Sequence, residues 1–152
     1  MKEIFPIAPA SSSALLLLLP IAIILVVGLV IVIFTATTIG RGSVEVSSVS
    51  IRITAPLYGR SIPLASVMTE QARVIDATTD PNLRPKWRTN GIGLPSYAAG
   101  WFKLQNGEKA LVLMTNRRRV LYFPTREGYS VLVSAAEPDK LLSSIKKHGS
   151  AS

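Results

Sequence analysis

Cysteine is absent from this chain of 152 residues, and histidine occurs once, at His148. Without a thiol the chain can form no disulfide, thiolate metal site or catalytic cysteine. Acidic residues are also scarce, with 9 Asp and Glu against 17 Lys and Arg, so the formal net charge is +8. Such an excess of positive charge favours polyanionic partners, either nucleic acid or an anionic lipid surface.

The sequence motifs of common enzymes are missing as well. No serine lies in a G-x-S-x-G nucleophile elbow, and the short GIG at residues 91–93 lacks the rest of a dinucleotide-binding fingerprint. Glu70, Asp76 and Asp80 are close in sequence but do not have the spacing of metal ligands. We therefore predict no enzyme activity, no catalytic residue, no metal site and no cofactor. An undetected hydrolase is a remote alternative.

Charge is missing altogether from residues 14–34, which read ALLLLLPIAIILVVGLVIVIF. A helix of this length is about 30 Å long, the hydrocarbon thickness of a bilayer. Pro20 and Gly28 are tolerated in a membrane helix. A cleaved signal peptide is the alternative, but its apolar region would be only about 7–15 residues long. We predict a transmembrane helix over residues 14–36, preceded by an N-terminal tail over 1–13.

The charges that flank this segment predict its orientation. Lys2 precedes it, whereas Arg41 and Arg52 follow it. Because basic residues near a membrane segment favour the cytoplasmic side, the C-terminal part is predicted to lie in the cytoplasm. The balance differs by a single charge.

Beyond a linker over residues 37–43, short apolar runs recur about every ten residues with turn signals between them. Alternating apolar residues predict strands near 44–46 and 49–53, with a bulge or break at Ser47–Ser48. Asn106–Gly107 predicts a tight hairpin, so the sheet is expected to be antiparallel. Residues 77–95 contain three prolines and predict a long irregular loop. Further strands are predicted in EQARVID (70–76, a strand or a short helix), SYAAGWFKL (96–104), KALVLM (109–114), RVLYF (119–123) and YSVLVS (129–134).

The end of the chain, EPDKLLSSIKKH, predicts one short helix. Pro138 suits the first helical position, and Asp139 suits the positive end of the helix dipole. Leu141, Leu142 and Ile145 form an apolar stripe. About seven short strands followed by one helix describe a small bent sheet or barrel that the helix closes.

The run RTNGIGLPSYAAGWFKLQNGEKALVLMTN, residues 88–116, resembles the bacterial pleckstrin-homology-like (PH-like) domain family. It is similar to the membrane-associated group with the core G-x-G-x-P-x-Y-x-x-G-x-F-x-L-x-N-G. The ending YSVLVSAAEPDKLLSSI is also similar, so the resemblance covers roughly residues 44–148 and leaves a tail over 149–152. It implies a mainly β (α+β) fold, a seven-stranded bent antiparallel sheet or barrel capped by a C-terminal helix, here preceded by the transmembrane helix. The matching positions are Gly91, Gly93, Pro95, Tyr97, Gly100, Phe102, Leu104, Asn106 and Gly107.

These positions have structural interpretations. Gly100 stands between bulky neighbours in a strand, which predicts a bend or a close backbone approach. Trp101 and Phe102 must point to opposite faces, so one is expected in the core and the other exposed or covered by the long loop. In eukaryotic relatives, basic residues in the loop after the first strand bind phosphoinositides. The corresponding turn here, APLYGRS, offers only Arg60, so the resemblance implies no headgroup specificity.

Two basic clusters supply the candidate contact residues. One lies at the predicted hairpin turn between two strands, and the other mixes cations with an indole in the predicted long loop. Solvated surface, anionic lipid headgroups and an acidic protein partner all remain open as interpretations. Nucleic acid is disfavoured because no stacked aromatic residues or recognition helix accompany the cations. The candidate residues are Arg84, Lys86, Trp87, Arg88, Arg117, Arg118 and Arg119.

The sequence therefore predicts a single-pass protein of the bacterial cytoplasmic membrane whose PH-like domain faces the cytoplasm. The predicted function is binding or assembly without catalysis, through contact with a protein partner or another copy of the chain. Binding of anionic lipid headgroups through the basic clusters is the alternative.

Overall fold

A computed structural model divides the chain into two compact units, Met1–Ile39 and Gly40–Ser152. It describes residues 12–38 of the first unit and 42–149 of the second. Residues 1–11, 39–41 and 150–152 lie outside the described residues, and they hold most of both predicted tails and the middle of the predicted linker.

The first unit contains one helix, α1, over Ser12–Thr38. Pro20 lies inside it. The apolar side chains described along this helix are exposed, from 51% at Val27 to 71% at Leu16. Among the described residues, no helix is long and apolar enough to cross a membrane. The described residues therefore do not support the prediction of a transmembrane helix over residues 14–36.

The second unit begins with a three-stranded antiparallel sheet of β1 (Ser43–Val46), β2 (Ser50–Thr54) and β3 (Arg60–Pro63). The break predicted at Ser47–Ser48 is confirmed, because the chain turns there between β1 and β2. The Ser47 hydroxyl accepts a hydrogen bond from the Ser50 N–H at 3.0 Å, which holds this turn.

The second sheet has six strands in the order β4-β8-β9-β7-β6-β5. All neighbours are antiparallel except β7 and β9, which are parallel. The prediction of a wholly antiparallel, seven-stranded sheet is therefore wrong in pairing and in strand number. The six strands are β4 (Arg73–Ile75), β5 (Pro85–Gly93), β6 (Ala98–Leu104), β7 (Lys109–Met114), β8 (Val120–Pro124) and β9 (Ser130–Val133).

The position of β9 explains why the sheet is not a series of hairpins between consecutive strands. Every residue of β9 is buried, so this strand needs a neighbour on each side and a cover on each face. It lies between β7 and β8, and β8 does not fold back on β7. Ser134 continues the contact with β7, because its N–H donates to the Leu113 carbonyl oxygen at 2.9 Å.

Strand β5 is a second correction, since residues 77–95 were predicted to be an irregular loop. Nine of these residues form the longest strand of the described chain, at the edge of the sheet. An edge strand tolerates Pro85, which has no N–H to donate, because its outer side pairs with no other described strand. The pairing with β6 shifts register between Pro85 and Trp87 and again between Arg88 and Asn90. These bulges and the glycines removed the alternation that marks a strand in sequence.

Two hydrophobic cores lie on opposite faces of the six-stranded sheet. The first is formed with β2, β3 and the C-terminal helix α2 (Pro138–Gly149). The second lies between the sheet and the segment that follows β4. The predicted C-terminal helix is confirmed, and Ile145, fully buried, carries its contact with the first core. The mainly β architecture with a closing helix is therefore confirmed.

Candidate functional site

Two glycines of the family pattern allow β5 and β6 to approach each other closely. Gly91 and Gly100 face each other in the register of these strands. A Cβ atom on Gly100 would lie 2.4 Å from the Asn90 carbonyl oxygen and 2.5 Å from the Gly91 Cα, and the φ angle of Gly100 is +123°. The predicted close backbone approach is confirmed. At the other end of β6, Gly107 has a φ angle of +88°, as the predicted tight hairpin requires.

The other pattern positions also have structural contacts. Phe102 is buried in the second core, and a Cβ atom on Gly93 would contact its ring. The turn around Pro95 is closed by a hydrogen bond of 2.7 Å from the Leu94 N–H to the Tyr97 carbonyl oxygen. In the hairpin, the Asn106 Oδ1 accepts the Glu108 N–H at 3.0 Å. The pattern therefore describes how the β5–β6–β7 region folds.

Arg117, Arg118 and Arg119 do not form the predicted hairpin turn. They lie in a crossover that carries the chain from β7 past β9 to β8. The guanidinium of Arg117 donates to the Leu94 carbonyl oxygen at 3.3 Å. Arg119 forms an ion pair with Asp139 at the start of α2. The triplet therefore contacts different elements and does not present one cationic surface.

The turn at residues 76–78 connects this crossover with the first cation of the other predicted cluster. Hydrogen bonds from the hydroxyl and the N–H of Thr78 hold the pKa of Asp76 below its ordinary value, and Arg118 acts in the same direction. Arg84 donates from its guanidinium to the Thr78 carbonyl oxygen. The structure thus links Arg84 and Arg118 through one turn, where their contacts stabilise the chain between β4 and β5.

The remaining candidates, Lys86, Trp87 and Arg88, lie on the edge strand β5 and not in a loop. The Trp87 side chain is 61% exposed, and the Lys86 ammonium lies 5.2 Å from the centre of its ring. Trp87 pairs with Lys103, whereas Arg88 pairs with Phe102, which faces the second core. Trp87 and Arg88 therefore lie on opposite faces of the sheet.

Comparison with known proteins identifies the family of this chain. A family model described as Bacterial PH domain matches residues 42–149, more than half of the chain. The chain belongs to the bacterial PH domain family. The resemblance noted in the sequence is therefore confirmed. No curated protein and no solved structure matches the chain significantly. PH-like domains are generally binding modules, so the family directs attention to the surfaces of this PH domain.

Sequence reasoning missed a row of side chains that runs across three strands of the PH domain. The register sets Trp87 beside Lys103, and Lys103 directly opposite Lys109 on β7. We call these three residues the cationic row. The alternation in WFK would have placed Lys103 on the face of Trp101, but only the strand register brings in Trp87 and Lys109.

Trp101 lies beside the cationic row. It points to the face of the sheet opposite to that of its neighbour Phe102. Trp101 is half-buried against the first core and meets the Tyr129 ring edge-on at 5.2 Å. The Lys109 ammonium lies 4.5 Å from its ring centre, and the Arg60 guanidinium lies at 5.6 Å. The expectation that Phe102 or Trp101 would enter the core is confirmed for Phe102. Cations and an aromatic ring, not a long loop, cover Trp101.

Among the described strands of the PH domain, β5 pairs with β6 alone and forms one edge of the six-stranded sheet. Seven of its nine residues are exposed. The outer N–H and C=O groups of such a strand can pair with an added extended segment. We call this outer side of Pro85–Gly93 the β5 edge.

A cavity of about 530 Å³ lies elsewhere in the PH domain, between β1, α2 and the end of β9. Val44, Val133 and Leu141 supply part of its apolar lining. Glu137 and Lys140 are the charged residues of its described lining, and they form an ion pair with each other.

Proposed function

We propose that this protein is a binding or assembly module of the bacterial cytoplasmic membrane. In this proposal the PH domain faces the cytoplasm and holds a protein partner or another copy of the chain, without catalysis. The observation that carries the proposal is the β5 edge, the outer side of a nine-residue strand, which pairs with no other described strand. Addition of an extended segment to such an edge is a recurrent mode of protein recognition, in which backbone hydrogen bonds supply affinity and neighbouring side chains supply specificity.

Membrane attachment is proposed to occur through α1. Apolar side chains lie on all sides of this helix and are at least 51% exposed from Leu18 to Phe34 wherever they are described. Leaving so much apolar surface in water is unfavourable by about 25 cal/mol for each Å². Contact with a membrane would remove part of this apolar surface from water.

A hydrolase is the remote alternative, and the single histidine has no serine hydroxyl or acidic side chain among its described hydrogen-bond partners. The Nδ1 atom of His148 lies 2.8 Å from the Ser144 carbonyl oxygen, one turn earlier in α2. Among the described residues, no group of three or more His, Asp and Glu side chains could hold a metal ion.

Binding of anionic lipid is the second candidate function, and one observation favours it. Trp87 is exposed with Lys86 beside its ring. Tryptophan prefers the membrane interface, and a cation near an anionic surface gains about 1 kcal/mol.

Site-specific crosslinking in cells tests the proposed function. A photoreactive amino acid replaces Ile92, which lies on β5 and is 36% exposed. The matched control places the same group at Ser143, an exposed position on α2. We expect the Ile92 variant to form a covalent adduct with another polypeptide, and the Ser143 variant to form none. If Ile92 yields no protein adduct, or if both positions yield the same adducts, the β5 edge is not the binding surface.

A further inference from the structure

We propose that the β5 edge and the cationic row receive an extended, acidic segment of a protein partner. This inference rests on the proposed function and names the chemistry of the partner. The bound segment would run beside β5, with carboxylates towards Lys86 and Lys103 and an apolar side chain against Trp87.

The segment that contains β5 and β6 is positively charged. Residues 81–107 contain no Asp or Glu, although they carry Arg84, Lys86, Arg88 and Lys103. All four cations are exposed. A surface of one sign attracts segments of the opposite sign and discourages others, because like charges that meet at an interface are costly.

Lys103 and Lys109 place two like charges close together. These residues stand directly opposite each other on antiparallel strands, an arrangement that is unfavourable for two like charges. The ring of Trp101 stabilises only the ammonium of Lys109. Ion pairs of the described residues occur at Arg119–Asp139 and Lys140–Glu137, and neither includes a lysine of the row. A carboxylate brought to Lys103 from the β5 side would offset this repulsion.

The same features argue against a second copy of the chain as the occupant. Pairing of two β5 edges would bring together two cationic strands, each of which carries Lys86 and Arg88 and no acidic residue. Pro85 and two bulges also interrupt a regular ladder between identical strands. An acidic segment meets no such repulsion and can follow an irregular edge with few backbone hydrogen bonds.

Trp87 supplies the apolar contact that such a segment needs. Its side chain is 61% exposed and lies in the same row as Lys103. Tryptophan is enriched among the residues that contribute most to protein binding, because it offers a large contact area with few rotatable bonds. The surface therefore fits a segment in which acidic and apolar residues alternate.

Peptide binding to the full chain tests this inference. The chain is reconstituted in nanodiscs of neutral phosphatidylcholine, and the probe is a labelled peptide of alternating Glu and Val, followed by fluorescence anisotropy. A peptide with Lys in place of Glu is the charge control. We expect the Glu peptide to bind, the Lys peptide not to bind, and added salt to weaken binding. Trp87→Ala should raise the Kd about tenfold, and Lys103→Gln should raise it about two- to fivefold.

Lys147→Gln is the matched control variant, since it removes one exposed cation from the last turn of α2. It should change the Kd by less than about twofold. Equal losses in Lys103→Gln and Lys147→Gln would mean general attraction to a cationic protein and would overturn the inference. Absence of Glu-peptide binding would overturn it as well.

Two further results separate this inference from the proposed function. If Ile92 crosslinks a protein but the Glu peptide neither binds nor competes, the protein-binding function stands and the acidic partner is wrong. The chain is also reconstituted in phosphatidylglycerol nanodiscs with Trp101→Phe, so that Trp87 alone reports. A blue shift of its emission in that lipid, without Glu-peptide binding, would replace the acidic segment by an anionic lipid surface.

Discussion

At the scale of single residues, the close approach of β5 and β6 depends on Gly91 and Gly100. We expect Gly100→Ala to lower the free energy of unfolding by about 2–4 kcal/mol, because the new Cβ would overlap the β5 backbone and the positive φ angle would be strained. In a thermal scan of the full chain in detergent, followed by tryptophan fluorescence, the midpoint should fall by more than about 10 °C.

Gly107 offers the control for this change. It also has a positive φ angle, but a Cβ atom there would have no heavy atom within 4 Å. Asparagine adopts positive φ more readily than other residues, so Gly107→Asn should cost less than about 1 kcal/mol. Equal losses in the two variants would show that the backbone angle alone, and not the close approach to β5, makes Gly100 necessary.

The residues that could be predicted from sequence are those whose chemistry is local. Asn106–Gly107 specifies a tight turn through its own backbone preferences, and Gly100 is conspicuous between bulky neighbours. The cationic row could not be predicted in this way. Trp87, Lys103 and Lys109 belong to three strands, and two bulges in β5 decide which of its residues stands beside Lys103. Register is a tertiary property, so a list of cations in sequence groups the wrong ones.

At the scale of elements, prediction succeeded where one pattern described one element and failed where neighbours had to be chosen. Strand β7 and helix α2 lie where their apolar periodicities predicted them. The short segment between β7 and β8 suggested a hairpin, yet β9 lies between these strands because it is buried on both faces. Arg117 to Arg119 consequently bridge separate elements, which a hairpin interpretation could not anticipate.

Helix α2 illustrates how the contacts of one element differ in energy. Its Asp139 pairs with Arg119, but both side chains are at least 60% exposed, whereas Ile145 is fully buried in the first core. We expect Arg119→Gln to lower the free energy of unfolding by less than about 1 kcal/mol. Ile145→Ala should lower it by about 2–5 kcal/mol, since it removes buried methyl groups and leaves a cavity.

Denaturant titration of both variants, with far-ultraviolet circular dichroism as the signal, measures this difference. Leu141→Ala is a useful intermediate, because Leu141 packs against the first core while only partly buried. Its loss should fall between the other two. A larger loss from Arg119→Gln than from Ile145→Ala would mean that the ion pair, and not apolar packing, holds α2 on the sheets.

At the scale of the whole molecule, the proposed membrane attachment determines which partners the positively charged PH domain can meet. The cytoplasmic leaflet is anionic and attracts basic segments close to it. In a cytoplasmic PH domain, residues 81–107, which contain no Asp or Glu, could therefore contact both acidic proteins and lipid. A domain on the other side would meet different partners. The side on which the domain lies thus decides which partners can reach the cationic row.

Because the chain has no cysteine, one introduced thiol can report this side without ambiguity. Ser143→Cys places the thiol at an exposed position on α2. With a membrane-impermeant reagent we expect no labelling in intact cells and full labelling after lysis, because Arg41 and Arg52 outnumber Lys2 near the apolar segment. Retention in the membrane pellet after alkaline carbonate extraction is the control for attachment. Labelling in intact cells would place the PH domain outside, and the acidic segment would then have to belong to a protein of the cell envelope.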